Sequence, residues 1–101
     1  MLFSVSMFPV GDADSLAQPV AEVVDEIDRA GLPYQVTAMD TVIEGEWEDV
    51  MPVIRRAEQR LRATHDRVYL TITVDDHHGV RNRIDASPKE VMQQLERRGS
   101  H

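Results

Sequence analysis

The apolar positions of this chain switch between a period of two and a period near four, and each switch marks a new element. Residues 2–8 put Phe3, Val5 and Met7 on one side and Ser4 and Ser6 on the other, which predicts a half-buried strand closed by Pro9 and Gly11. Over residues 15–30, Leu16, Val20, Val23, Val24 and Ile27 form one helical stripe. Asp12, Asp14 or Ser15 is placed to cap that helix, Pro19 fits only its first turn, and Gly31 closes it. Alternation returns at Tyr34–Ala38 and at Thr41–Glu46, joined by a turn at Ala38-Met39-Asp40, so these two strands form an antiparallel hairpin.

A second helix runs from about Trp47 to Arg62. Its inner stripe is Trp47, Val50, Met51, Ile54, Ala57 or Glu58, and Leu61; its outer face is Arg55, Arg56, Glu58, Gln59, Arg60 and Arg62. Val68–Asp75 is the clearest strand, with Val68, Leu70, Ile72 and Val74 on one side and Tyr69, Thr71, Thr73 and Asp75 on the other. A polar loop, Asp75–Gly79, follows. Ser87-Pro88-Lys89-Glu90 then has the spacing of a capping box opening a last helix with Val91, Met92 and Leu95 on its apolar side.

Strand, helix, strand, strand, helix, strand is two β-α-β crossings joined by a hairpin. It predicts an α+β, ferredoxin-like βαββαβ domain over residues 1–98, with a C-terminal helix and residues 99–101 as a tail. Right-handed crossovers put both crossover helices on one face of an antiparallel sheet ordered fourth, first, third, second. The helices then cover Phe3, Val5, Met7, Tyr34, Val36, Ile43, Val68, Leu70, Ile72 and Val74.

The opposite, open face carries the chemistry. Glu44 lies inside a strand, where acids are depleted. Its parity sends it to the open face, where the expected register sets it beside Ser4 and Ser6, with Thr71 and Thr73 on the far flank and Tyr69 and Phe8 near one end. Long charged side chains would suit a solvated face, and Leu, Ile and Val a dry interface. Small hydroxyls around one carboxylate suit a packed polar interface between subunits or a pocket that hydrogen-bonds a planar ligand.

Charge and motifs narrow the function classes. Eleven Lys and Arg against 18 Asp and Glu give a net charge of −7, which argues against nucleic acid as partner. There is no cysteine, hence no disulfide, zinc-thiolate site or thiol nucleophile. The first eight residues lack the basic start and apolar length of a secretion signal, and no long apolar run predicts a membrane span, so the cytoplasm is the expected compartment. No nucleophile elbow or phosphate loop is present, and the expectation is a protein without catalytic residues. Asp75, Asp76, His77 and His78 are adjacent on an extended chain and point in opposite directions, which fits a surface loop and no metal site. His65 falls at the end of the second helix, where a cation suits the dipole.

Tyr34-Gln35-Val36, Thr41-Val42-Ile43-Glu44-Gly45-Glu46, the ending Phe8-Pro9-Val10-Gly11 of the first strand and the strand Val68–Asp75 together resemble the thiamine-binding protein family, from about residue 2 to residue 97. The resemblance implies a ferredoxin-like homotetramer, a dimer of dimers associated through its sheets. It also implies non-catalytic binding of thiamine or its hydroxymethylpyrimidine part, with no cofactor. The positions that match a family site are Thr41, Glu44 and Glu46. Combined with the open face, the candidate ligand contacts are Glu44, Ser4, Ser6, Thr41, Thr71, Thr73 and Tyr69, with Phe8 as a second ring for stacking; Trp47 heads an apolar stripe and reads as core. The rival reading is an interaction protein whose open sheet face serves only its own assembly.

Overall fold

The computed structural model describes residues 1–11, 15–79 and 83–97. Its elements are β1 (Leu2–Pro9), α1 (Ala17–Arg29), β2 (Tyr34–Val36), β3 (Thr41–Glu44), α2 (Trp47–Arg62), β4 (Val68–Asp75) and α3 (Arg83–Arg97). The four strands form one antiparallel sheet ordered β2-β3-β1-β4, the ferredoxin-like order with β1 and β3 central.

The core is one layer between the sheet and two helices. Phe3, Val5 and Met7 of β1 and Ile43 of β3 meet Val23 and Ile27 of α1 and Val50, Val53, Ile54, Ala57 and Leu61 of α2. Val53 was not in the sequence-derived stripe; the buried face of α2 is broad enough to include it. Arg60, expected on the outer face, reaches α1 instead, with Nη1 2.8 Å from Asp25 Oδ2 and 3.3 Å from Glu26 Oε1. Trp47 touches Phe3, ring centroids 6.0 Å apart, yet is 49% exposed, because it heads α2 at the rim of the core.

Element ends follow local chemistry in most places. Ser15 Oγ accepts the Ala17 N–H at 3.2 Å, so the helix starts two residues after Ser15; Asp12 and Asp14 lie outside the described residues. Glu46 is extended, and its carbonyl accepts the N–H groups of Asp49 and Val50 at 3.0 Å each, which starts α2. At the far end of α2, His65 Nδ1 lies 3.0 Å from the Leu61 carbonyl, in reach of an orphan acceptor of the last turn.

Three expectations are corrected. β2 is only three residues long, ending at Val36, and Val36 is exposed rather than covered. Leu70 is likewise 36% exposed, since β4 is an edge strand and the helices sit over β1 and β3. The last helix begins at Arg83, so Pro88 lies inside it and Ser87 is not its cap. The Ile84 N–H donates to Glu44 Oε1 at 3.3 Å, and this contact with β3 satisfies a first-turn donor that the local sequence leaves open.

Candidate functional site

Strand parity puts Leu2, Ser4, Ser6 and Phe8 of β1 on the open face, and the register arranges that face in rows. Glu44, Leu2 and Asp75 form the first row; Gln35, Val42, Ser4 and Thr73 the second; Ser6 and Thr71 the third; Phe8 and Tyr69 the fourth. The expected placement of Thr73 and Thr71 beside Ser4 and Ser6 is observed. Glu44, however, stands opposite Leu2, diagonal to Ser4 and two rows from Ser6. The face was read correctly and the register was two residues out, because a two-residue slip preserves parity.

The face thus has an acidic end and an aromatic end. Phe8 and Tyr69 stack there, centroids 5.5 Å apart at 25°. Six residue steps along the strand separate the Leu2 row from the Phe8 row, about 20 Å. A small ligand against Glu44 does not reach Tyr69 of the same chain.

Thr41 sits apart from the open-face group. It pairs with Val5 and is only 5% exposed, on the side that carries Ile43 and the helices. Glu46 is the extended residue that opens α2, and it faces solvent.

Asp40 belongs to the open face and was taken only as part of the turn. It precedes Val42 by two and Glu44 by four, so the parity that places Glu44 places Asp40 too. The Ser4 hydroxyl donates to Asp40 Oδ2, and Thr37 Oγ1 lies 2.7 Å from Asp40 Oδ1. Thr37 N–H also donates to the Asp40 carbonyl at 2.8 Å, closing the β2–β3 turn. Donation from Ser4 first, and from Thr37 second, holds the Asp40 carboxyl below the usual carboxylate range, against a smaller opposing effect of burial.

That shift fixes the sign of a pH effect. A carboxyl whose folded pKa is depressed contributes stability above its unfolded pKa, near 3.9, and loses it as pH falls through the folded value. Asp40→Asn is therefore expected to flatten the stability curve below about pH 4 and to leave its slope above pH 5 unchanged, read by urea melts across pH. An unaltered acid limb would show that the Ser4–Asp40–Thr37 network contributes nothing to acid sensitivity.

Two clefts flank β3. The one at the turn end holds about 370 Å³ between Asp40, Thr37, Thr41, Ser6 and Phe8 on the sheet side and Leu16, Val20 and Val23 of the α1 region. It is mostly apolar with a few polar groups converging on it. The other, about 560 Å³, lies where β3 runs into α2. Its wall includes Glu44, Glu46, Asp49 and Asp76, with His77 and His78 from the loop after β4. The sequence-derived candidates are therefore divided: Ser6 and Thr41 line the first cleft, Glu44 the second, and Ser4, Thr71 and Thr73 lie on the sheet between. Among the described residues, no group of three or more acidic or histidine side chains is arranged to hold a metal ion. No helix among them is long and apolar enough to cross a membrane.

Comparison with known proteins places this arrangement in context. The sequence model for thiamine-binding protein matches residues 3–92. A UPF0045 protein of Mycobacterium bovis is 37% identical over 92 residues, covering 90% of this chain and 87% of that protein. A solved structure of a hypothetical protein of Methanocaldococcus jannaschii superposes with a TM-score of 0.82 at 23% identity, covering 91% of this chain and 95% of that one. A Thermotoga maritima structure, described provisionally as a thiamine biosynthesis or salvage protein, superposes with a TM-score of 0.75 at 21% identity over 87% of this chain and 96% of that one. At these identities the two structures speak for the fold.

Proposed function

The chain belongs to the thiamine-binding protein family, and from that premise we propose that it binds thiamine or the related hydroxymethylpyrimidine, without catalysis, at the acidic end of the open sheet face. The observation that carries the reading is the double position of Glu44. It stands in the first row of the polar face and in the wall of the acidic cleft. A thiazolium cation is matched by the four carboxylates of that cleft, and an aminopyrimidine by Glu44 and the hydroxyls of Ser4 and Thr73. Ser6 and Thr71 extend the polar row, and Thr41 would meet a ligand only through the turn-end cleft. The carriers of this function are a homotetramer, a dimer of dimers, with the site close to a subunit interface. Among the described residues, the outer edge of β4 and the exposed Val91, Met92 and Leu95 of α3 are surfaces that suit such assembly.

A purely structural role has its own observation. Glu44 already accepts the Ile84 N–H, and Ser4 already donates to Asp40, so both groups serve the fold. The variant that separates the readings is Glu44→Gln, which keeps an oxygen for Ile84 and removes the charge. Wild-type protein titrated with thiamine or hydroxymethylpyrimidine should melt several degrees higher; saturation at 100 times Kd adds about 2.7 kcal/mol. Glu44→Gln should lose that response while keeping its helicity and its mass by light scattering. Absence of any response of the wild type to either compound at millimolar concentration sinks the proposal.

A further inference from the structure

The last helix is held differently from the other two. α1 and α2 each bury one side in the core, whereas every residue of α3 from Pro88 to Arg97 is exposed, Val91, Met92 and Leu95 included. A helix of 15 residues is marginal in water by itself, and Pro88 removes one of its internal hydrogen bonds. α3 meets the body chiefly at β3, and there the Ile84 N–H donates to Glu44 Oε1 at 3.3 Å. The stretch that leads toward α3, Asp76-His77-His78-Gly79, lines the acidic cleft in whose wall the same Glu44 stands, and it turns at Gly79 with φ 78°. One carboxylate therefore serves both the wall of the cleft and the start of the helix.

Those two roles conflict in charge. The first-turn N–H groups of a helix are the positive end of its dipole, about half an elementary charge. A cation drawn to Glu44 from the cleft meets that pole at the same carboxylate, and the two repel each other whether or not the oxygens can be shared.

We propose that α3 is an autoinhibitory arm. When docked, its first turn engages Glu44 and weakens the cleft for cations. A cationic ligand that engages Glu44 weakens the docking of α3 in return, by the same factor, since coupling between two binding equilibria is reciprocal. Occupancy of the cleft is thereby converted into release of a helix. The proposal rests on the ligand reading above for its occupant, and on the hydrogen bond between Ile84 and Glu44 for its latch.

The test removes the donor and leaves Glu44 in place. Ile84 is the second residue of α3, where an N–H has no acceptor within the helix. Ile84→Pro therefore deletes the latch without breaking an α-helical bond, much as Pro19 is accommodated in the first turn of α1. Ile84→Ala, which loses the side chain and keeps the N–H, is the control. Without ligand, hydrogen exchange read by mass spectrometry should run at least fivefold faster over residues 88–97 in Ile84→Pro than in Ile84→Ala, with the amides of β1 and β3 unchanged. Equal rates in the two variants overturn the latch. By calorimetric titration Ile84→Pro should bind thiamine about 5–10-fold more tightly than Ile84→Ala, a coupling of ordinary size. Saturating thiamine should also speed exchange over residues 88–97 of the wild type. Thiamine that binds all three proteins with one affinity, or that leaves this exchange unchanged, overturns the coupling. Thiamine that binds none of the three sinks the ligand reading and the trigger with it, while the ligand-free exchange still decides the latch, so the two failures are distinguishable.

Discussion

Phe3→Ala is expected to remove about 3–5 kcal/mol of stability, a large share of the roughly 5–15 kcal/mol typical of a single domain. Phe3 is fully buried on the central strand, opposite Ile43 on one side and Val74 on the other. Truncation leaves a cavity that neither the sheet nor α2 can close, since both are held by their own hydrogen bonds. The reporter is already in place. Trp47 is the only tryptophan, and its ring lies 6.0 Å from that of Phe3. Urea melts followed by tryptophan emission should show a midpoint far below wild type and an altered native signal before unfolding. A loss under about 1 kcal/mol would mean that the site collapses around the gap, contrary to the packing described.

Phe3 was legible as core from alternation alone, and so were Val5, Met7 and Ile43, because period two in a strand with one covered face admits few alternatives. The same parity gave the open face of Ser4, Ser6, Thr71, Thr73 and Glu44. What alternation does not carry is register. Glu44 beside Leu2 and Glu44 beside Ser6 differ by whole pleats, and the choice between them is made at the ends of the strands. There Gly45 N–H donates to the Met1 carbonyl and Glu44 N–H to the Pro33 carbonyl, at 3.0 and 2.9 Å.

Edges were illegible for a different reason. Val36 and Leu70 have the right parity for burial, but two helices cover only so much of a four-stranded sheet, and coverage is a property of the packed whole. The start of α3 was overruled by a tertiary contact between Ile84 and Glu44, against a sound local capping signal at Ser87. Asp40 was the readable omission. Its parity matches that of Glu44, and only its label as a turn residue removed it from the polar face. With Asp40 included, the candidate site is a band of carboxylates and hydroxyls along one side of β3, of which Glu44, Ser4 and Asp40 are already engaged with the fold. Any ligand there competes with, or adds to, bonds that also hold the turn and α3.

Gly45→Ala tests the junction where that band ends. Gly45 does not have a positive φ, so alanine meets no backbone penalty there, and a stiffer unfolded chain would favour the variant by about 0.4–1 kcal/mol. The steric effect opposes this. A Cβ at Gly45 lies 2.9 Å from Val50 Cγ2 and 3.4 Å from Leu32 Cδ2. Val50 is fully buried in the first turns of α2, and its branched side chain has few other rotamers to adopt. Relief requires α2 to shift away from β3, at an overpacking cost of about 1–3 kcal/mol. The steric term should win, and Gly45→Ala should melt several degrees below wild type. Val50→Ala in the same chain should recover part of the loss relative to Val50→Ala alone, the coupling expected of two groups competing for one space. Additive effects of the two substitutions would place the clash elsewhere. If Gly45→Ala proves stabilising, β3 and α2 are not locked together at this glycine, and the Glu44 end of the sheet has room to adjust around whatever occupies the acidic cleft.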